Sequence, residues 1–203
     1  MESKRIKSLT ETDRMAFRML AHAGNATTGT LEKIGLSATR IENLKRDHLI
    51  VSMDRTQKHQ HKNPDAVWAL TKGGKVFSEK NLDIQRFASG TNAPKHNCVV
   101  AEKYAEISGR SDIARIMDEH ECRSYIKENL AELCYRAERA DEYYEWKERL
   151  DSGRLSMPDI TIITTTETIE CIEVTTDNYG AIEIESKMMT VELLCAEYTQ
   201  IDS

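Results

Sequence analysis

The chain has 203 residues, with a hydrophobic fraction of 39%, a charged fraction of 31% and a net charge of −6, which predicts a soluble protein of one large or two small domains. No apolar run approaches the roughly 20 residues of a membrane-spanning helix, and MESKRIKSLTETDR lacks the apolar segment of a secretory signal. The five cysteines show no CxxC spacing, which argues against zinc and disulfide frameworks and predicts a reducing cytoplasm.

The first third of the chain has the pattern of three short helices. TETDRMAFRMLAHAG places apolar residues at helical spacing and stops at Gly24. A short helix over TTGTLEKIGLS follows, and Ser37 is predicted to cap a third helix, SATRIENLKRDHLI, with Ile41 and Leu44 inward. Three short helices, the last one polar and basic, are typical of a helix-turn-helix.

Two strands around a polar loop come next. Ile50 and Val51 open the first strand, and the basic loop RTQKHQHKNPD leads into the second strand, AVWAL. The run LTKGG, which begins at Leu70, resembles the LT-x-x-G ending of winged-helix domains, in which the threonine caps the next helix. Residues 8–82 therefore resemble the winged-helix superfamily, and the basic loop is its expected wing.

This resemblance implies a surface that binds double-stranded DNA. Arg40 and Asn43 are residue types that reach guanine and adenine edges in the major groove, whereas lysine contacts with phosphates add affinity without reading sequence. A winged helix that mediates protein contacts is the alternative, and a metal role for the wing histidines has no third ligand to support it. The predicted DNA-contacting residues are Thr39, Arg40, Asn43, Arg46, Lys58, His59, His61 and Lys62.

The charge distribution agrees with a DNA-binding first half. Residues 1–95 hold 17 Lys and Arg against 10 Asp and Glu, a net of +7, whereas residues 96–203 hold 11 against 24, a net of −13. This asymmetry is typical of a DNA-binding module joined to a different domain, with uneven solvated faces as the alternative. We predict a winged helix-turn-helix domain at 1–90, a helical connector at 91–111 and a further domain at 112–203.

The second half begins with helix-forming sequence. HNCVVAEKYAEISG predicts a helix that ends at Gly109, and residues 112–150 are helix-forming and highly charged. One uninterrupted helix of that length is unusual in a compact domain, so we expect a break near Asn129 or Asp141. A strand around residues 137–146 is the alternative.

Two apolar strands follow, and they carry a pair of acids. Asp159, after Pro158, opens one strand, and the next strand carries Glu173 and Thr175 on one face because side chains alternate. In nucleases of the PD-(D/E)xK type, two such carboxylates hold Mg²⁺ and a lysine stands two residues beyond the second acid. Thr175 occupies that lysine position here.

The last predicted helix, YGAIEIESKMMTVELLCAEY, is amphipathic and carries Lys187. The layout resembles the plasmid replication-relaxation proteins, in which a winged helix is joined to a PD-(D/E)xK nuclease-like domain. The matching residues are Pro158, Asp159, Ile172, Glu173, Val174, Tyr179 and Lys187. The resemblance implies an α+β protein that acts on the DNA of a plasmid, phage or integrative element in replication, relaxation or transfer. The candidate partners besides double-stranded DNA are a second copy of the chain, in a homodimer, and other replication or transfer proteins.

The same resemblance defines a candidate catalytic set. Asp159 and Glu173 would hold Mg²⁺, Lys187 would replace the missing lysine, and Glu121 or Glu128 would supply a third acid, a choice that the sequence leaves open. Because Thr175 carries no positive charge, we expect a degenerate nuclease-like domain in a DNA-binding protein. The alternatives are a Mg²⁺-dependent endonuclease or nickase, a transcriptional repressor, and acids with no shared site, one capping a turn and the other exposed.

Overall fold

The computed structural model describes residue 6 and residues 8–53, 62–90, 93–176 and 180–202. The chain is a mixed α+β protein, which confirms the predicted fold class at that level. It divides into two compact units, Met1–Gly109 and Arg110–Ser203. Within the described residues, no helix combines the length and the apolar character that crossing a membrane requires.

The first unit combines helices with a small antiparallel sheet. Its elements in chain order are α1 (Glu11–Ala23), β1 (Ala26–Thr27), α2 (Thr28–Lys33), α3 (Ala38–Arg46), β2 (Ile50–Ser52), β3 (Val67–Leu70), α4 (Lys72–Leu82) and α5 (Pro94–Ser108). The sheet has the order β1-β3-β2, and Ile50 of β2 lies opposite Leu70 of β3. The two-residue strand β1 was not predicted, because so short a segment carries no readable alternation.

Side-chain and glycine caps set the helix boundaries where the sequence predicted them. Gly24 ends α1 in the left-handed region with φ 84°, a conformation that glycine adopts without a Cβ clash. The Ser37 hydroxyl accepts the Arg40 N–H at the start of α3. The Thr71 hydroxyl accepts the Gly74 N–H at 2.8 Å at the start of α4. Each serine or threonine cap satisfies one of the backbone donors that a helix start leaves unpaired.

The core of the first unit joins the sheet to the helices around Trp68. This indole is fully buried, and its Nε1–H donates to the Thr28 hydroxyl at 2.8 Å. α3 contributes Ile41 and Leu44, which are also buried. α5 packs against α1, so the helix predicted within a connector lies in the first unit.

The second unit is built on a four-stranded mixed sheet. Its elements are β4 (Ile113–Met117), α6 (Glu119–Arg136), a 3₁₀ turn (Ala140–Glu142), α7 (Tyr143–Asp151), β5 (Ile160–Thr164), β6 (Ile169–Thr175), α8 (Ala181–Leu193) and β7 (Glu197–Asp202). The strand order is β4-β5-β6-β7; β4-β5 and β5-β6 are antiparallel, and β6-β7 is parallel. α8 makes the crossover that a parallel pair requires.

Strand β4 lies where the sequence predicted helix, and β7 begins inside the predicted final helix. β4 occupies the start of residues 112–150, where Ala, Arg and Met have a high helix propensity. Pairing with β5 in the sheet overrides that propensity. The final helix does not extend to Tyr198, because α8 ends at Leu193 and Cys195 turns the chain at φ 49° into β7. The expected break near Asp141 is confirmed, whereas the alternative strand around 137–146 is wrong, since that segment is mostly helical.

Three helices and β6 enclose the apolar core of the second unit. Its members include Ile126 and Leu133 of α6 and Cys171 of β6, all buried. Trp146 of α7 is 2% exposed, and the guanidinium carbons of Arg139 and Arg149 lie 5.7 and 5.2 Å from its ring centre. This core fixes α8 against β6, which decides where Lys187 lies.

Candidate functional site

The strand pairing of the second unit places the two predicted acids side by side. Ile160 pairs with Ile172 across β5 and β6, so Asp159 lies beside Glu173. The Asp159 backbone N–H donates to Glu173 Oε2 at 3.2 Å, and the Val174 N–H donates to Asp159 Oδ2 at 2.8 Å. Hydrogen bonds to the two carboxylates thus link β5 and β6 just beyond the last backbone pair, Ile160 and Ile172.

Lys187 completes this group from the neighbouring helix. Its ammonium group on α8 donates to Glu173 Oε1 in an ion pair. The side chains of Lys187 and Glu173 are only 5% and 1% exposed. The structure therefore brings together Asp159, Glu173 and Lys187, which we call the acid–lysine cluster, and it excludes the alternative of an exposed Glu173.

A second polar row runs beside the cluster along β7. The parallel register sets Gln200 beside Glu173 and Asp202 beside Thr175. The Thr175 hydroxyl donates to Asp202 Oδ1 at 2.8 Å. The residue at the expected lysine position therefore forms a hydrogen bond between β6 and β7. The sequence did not predict Gln200 and Asp202 as neighbours of the cluster, because the signal for β7 is weak and consists of Tyr, Thr and Ile within six residues.

Tyr198 is a further residue near the two acids. Burial raises the pKa of its hydroxyl, and the negative charges of Glu173 and Asp159 raise it further. Both effects disfavour the tyrosinate. Tyr198 therefore stays protonated at neutral pH beside the acid–lysine cluster.

The residues predicted as a third acid lie elsewhere. Glu121 is exposed and forms a capping box with Asp118 at the start of α6, and Glu128 is exposed on the same helix. Across the part of the chain that the structure describes, no three His, Cys, Asp or Glu side chains gather in a group that could hold a metal. At least three of the four oxygens of Asp159 and Glu173 already accept bonds from protein donors. As arranged here, the cluster does not fit a Mg²⁺ ion.

On the first unit, α3 presents one polar face. Thr39 and Arg46 are exposed and Asn43 is half-buried, and their spacing places all three on one side of the helix. Lys62, in the predicted wing, is exposed. Lys58, His59 and His61 lie outside the described residues.

Arg40, the fourth predicted residue of this helix, is held by α1. Its Nε and Nη2 donate to the two oxygens of Asp13 at 2.8 and 2.6 Å, and Nη2 also donates to the Ser8 carbonyl. The Asp13 side chain is fully buried, whereas that of Arg40 is 25% exposed. This two-point ion pair fixes α3 to α1. Nothing in the sequence marks Asp13 as its partner, because the two residues lie 27 positions apart.

The pKa of Asp13 reflects this pairing. Burial acts to raise the pKa, but hydrogen bonds from Arg40 and Thr10 and the charge of Arg40 outweigh it, so the pKa lies below its ordinary value of 3.8. The aspartate is therefore ionised throughout the neutral range. The charged pair persists wherever the unit is folded at ordinary pH.

Acid is expected to remove the stabilisation that Asp13 provides. Because the folded pKa lies below the unfolded value of 3.8, the contribution is fully present well above pH 3.8, begins to fall as the pH approaches that value, and is lost as the pH falls through the folded pKa. We expect the stability gap between wild type and Asp13→Asn to shrink from about pH 5 to about pH 2.5, measured by urea denaturation. A gap that stays constant over this range would contradict an ionised Asp13 pair.

Comparison of the chain with protein-family models, curated proteins and solved structures gave no match.

Proposed function

We propose that this chain is a DNA-binding protein whose first unit is a winged helix that binds duplex DNA through α3. The observation that carries the proposal is the exposed polar face of α3, made by Thr39, Asn43 and Arg46, on a helix whose opposite side holds buried Ile41 and Leu44. The order of three helices and three strands, with β2 and β3 antiparallel, supports the winged-helix assignment.

The chemistry of this face suits a major groove. The amide of Asn43 has the donor and acceptor pair that matches an adenine edge, and Arg46 suits a phosphate or a guanine. Arg40 serves this surface as a support, because its guanidinium is bound to Asp13. The net charge of +7 over residues 1–95 favours approach to DNA.

The second unit is proposed to have the PD-(D/E)xK nuclease-like fold without robust cleavage. The β5–β6 hairpin, the α8 crossover and the parallel strand β7 support that fold, since they place Asp159, Glu173 and Lys187 together. The burial of these three side chains favours a structural role. The resemblance to replication-relaxation proteins supports action on a mobile element, in replication, relaxation or transfer.

DNA binding is tested with a duplex selected from a randomised pool on the wild-type protein. Asn43→Ala should weaken binding to that duplex by about 1–3 kcal/mol, or roughly 5- to 150-fold, and relax the choice of base at one position. Arg46→Ala should weaken binding to all duplexes and lower the slope of log K against log salt by about 1. Gel retardation over a series of salt concentrations measures both effects.

Arg18→Ala is the matched control, because Arg18 is an exposed arginine of the same unit on α1. It should leave selection and affinity for the duplex close to wild type. Equal losses in Arg18→Ala and Arg46→Ala would contradict a surface centred on α3. If no duplex is selected over the starting pool, the winged helix does not read DNA sequence.

The endonuclease or nickase alternative is separated from this proposal by a plasmid assay. Supercoiled plasmid is incubated with the protein in Mg²⁺, Mn²⁺ or EDTA, beside Asp159→Ala. Metal-dependent nicking that disappears in the variant would establish the enzyme, and intact plasmid with salt-sensitive retardation supports the binding protein. A repressor would bind its site without any metal dependence.

A further inference from the structure

We propose that the ammonium group of Lys187 takes the place of a divalent cation in the second unit, so that the acid–lysine cluster is held together without metal. This inference rests on the proposed nuclease-like fold, in which Asp159 and Glu173 would otherwise be the metal ligands. It concerns which cation balances the charge of the Glu173 carboxylate, and it is independent of DNA binding by the first unit.

The first argument is that carboxylate oxygens that could bind a metal already accept hydrogen bonds from the protein. Glu173 accepts the Lys187 ammonium at Oε1 and the Asp159 N–H at Oε2, and Asp159 accepts the Val174 N–H at Oδ2. A divalent ion would have to displace the ammonium from Glu173. Mg²⁺ also sheds its waters reluctantly and usually keeps several of them. Protein donors thus occupy positions that metal and metal-bound water would require.

The second argument is burial. Asp159 is 7% exposed, Glu173 1% and Lys187 4%. A metal that cleaves a phosphodiester must contact a phosphate oxygen, so its ligands have to border solvent or substrate. A carboxylate as buried as that of Glu173 instead needs a cation from the protein itself, because an unpaired charge inside a protein is strongly unfavourable. Lys187 supplies that cation at the position where α8 crosses β6.

The third argument is the chemistry at residue 175. The PD-(D/E)xK pattern places a lysine two residues beyond the second acid, on the same face of the strand. Here the Thr175 hydroxyl donates to Asp202 of β7, and the lysine that contacts Glu173 comes from the helix that covers the sheet. The positive charge therefore lies inside the packed interface of α8 and β6. There the ammonium group of Lys187 neutralises the Glu173 carboxylate.

The experiment measures the thermal midpoint, Tm, of the full chain in EDTA and in increasing Mn²⁺, by circular dichroism. The variants are Lys187→Met and Lys187→Met combined with Glu173→Gln. Lys147→Met is the matched control, since it removes an exposed lysine of the same unit that pairs with Asp151 at 2.7 Å. An ion that binds only the folded state raises Tm, and does so more at higher concentration.

Wild type and Lys147→Met should show the same small Tm change with Mn²⁺. Lys187→Met should melt lower in EDTA and regain several degrees at Mn²⁺ of about 100 times its Kd, because the ion replaces the ammonium. The double variant should lose that response. If Lys187→Met does not fold in EDTA, the readout becomes recovery of its far-ultraviolet signal on adding Mn²⁺.

Two results would overturn the proposal. One is a Mn²⁺-dependent rise in the wild-type Tm that Asp159→Asn abolishes, which would make the cluster a metal site with Lys187 present. The other is a Lys187→Met variant with no Mn²⁺ response, in Tm or in recovery of folding, which would show that a divalent ion cannot take the ammonium's place. Neither result alters duplex binding by α3, so a failure here is distinguishable from failure of the proposed function.

Discussion

Replacing Lys187 by Met in metal-free buffer is expected to lower the free energy of unfolding of the second unit by about 3–5 kcal/mol. The substitution keeps most of the side chain's volume but leaves Glu173, 1% exposed, as a buried charge without its cation. Such a charge is far more unfavourable than the loss of an exposed pair. Urea denaturation followed by circular dichroism should show the transition of the second unit at a lower urea concentration.

A double-mutant cycle separates the ion pair from simple packing. Glu173→Gln combined with Lys187→Met removes both charges and should be markedly less destabilised than Lys187→Met alone. Lys147→Met, which breaks an exposed pair on α7, should change the stability far less than Lys187→Met, because water and salt screen an exposed pair. Equal losses of stability in the Lys187 and Lys147 variants would mean that the buried Glu173 carboxylate does not need a cation beside it.

Replacing Arg40 by Met is expected to destabilise the first unit by about 2–3 kcal/mol, slightly less than a fully buried pair, because Arg40 keeps a quarter of its side chain exposed. The loss arises from Asp13, which remains buried and charged once its guanidinium partner is removed. Differential scanning calorimetry at pH 7 measures the effect. Arg18→Met, an exposed arginine on α1, should stay within about 0.5 kcal/mol of wild type.

The same variant tests what Arg40 contributes to DNA binding. At a temperature where Arg40→Met is still folded, its affinity for the selected duplex should remain within about threefold of wild type, which corresponds to less than 1 kcal/mol. A large loss of affinity with unchanged stability would assign Arg40 to base contact, as the sequence alone suggested. The outcome decides whether Arg40 contacts DNA itself or only supports the face made by Thr39, Asn43 and Arg46.

The sequence predicted helix ends better than it predicted edge strands. Gly24, Ser37 and Thr71 cap helices where they were expected to, because a cap acts within a few residues along the chain. Strands β4 and β7 were missed, because both lie at the edges of the sheet and their residues are largely exposed. Edge strands carry little hydrophobic alternation, and only pairing with a distant strand reveals them.

The candidate sites show the same division between local and distant information. Asp159 and Glu173 were singled out together because a hairpin of predicted strands fixes their relation. The contact of Lys187 with Glu173 depends on how α8 packs on the sheet, and the pairing of Arg40 with Asp13 depends on how α3 packs on α1. Residue types and spacing identify the candidate residues. Tertiary packing decides whether each charged side chain faces the protein interior or a ligand.

The two tryptophans of the chain have a consequence for spectroscopy. Trp68 lies in the core of the first unit, and Trp146 lies in that of the second near two guanidinium groups. Each unit thus contains its own fluorophore, in a different electrostatic surrounding. A variant that keeps Trp146 as its single tryptophan would report emission from the acidic half alone. A variant that keeps only Trp68 would report emission from the basic half alone. Intrinsic fluorescence can therefore follow the two halves as separate optical signals within a single intact molecule.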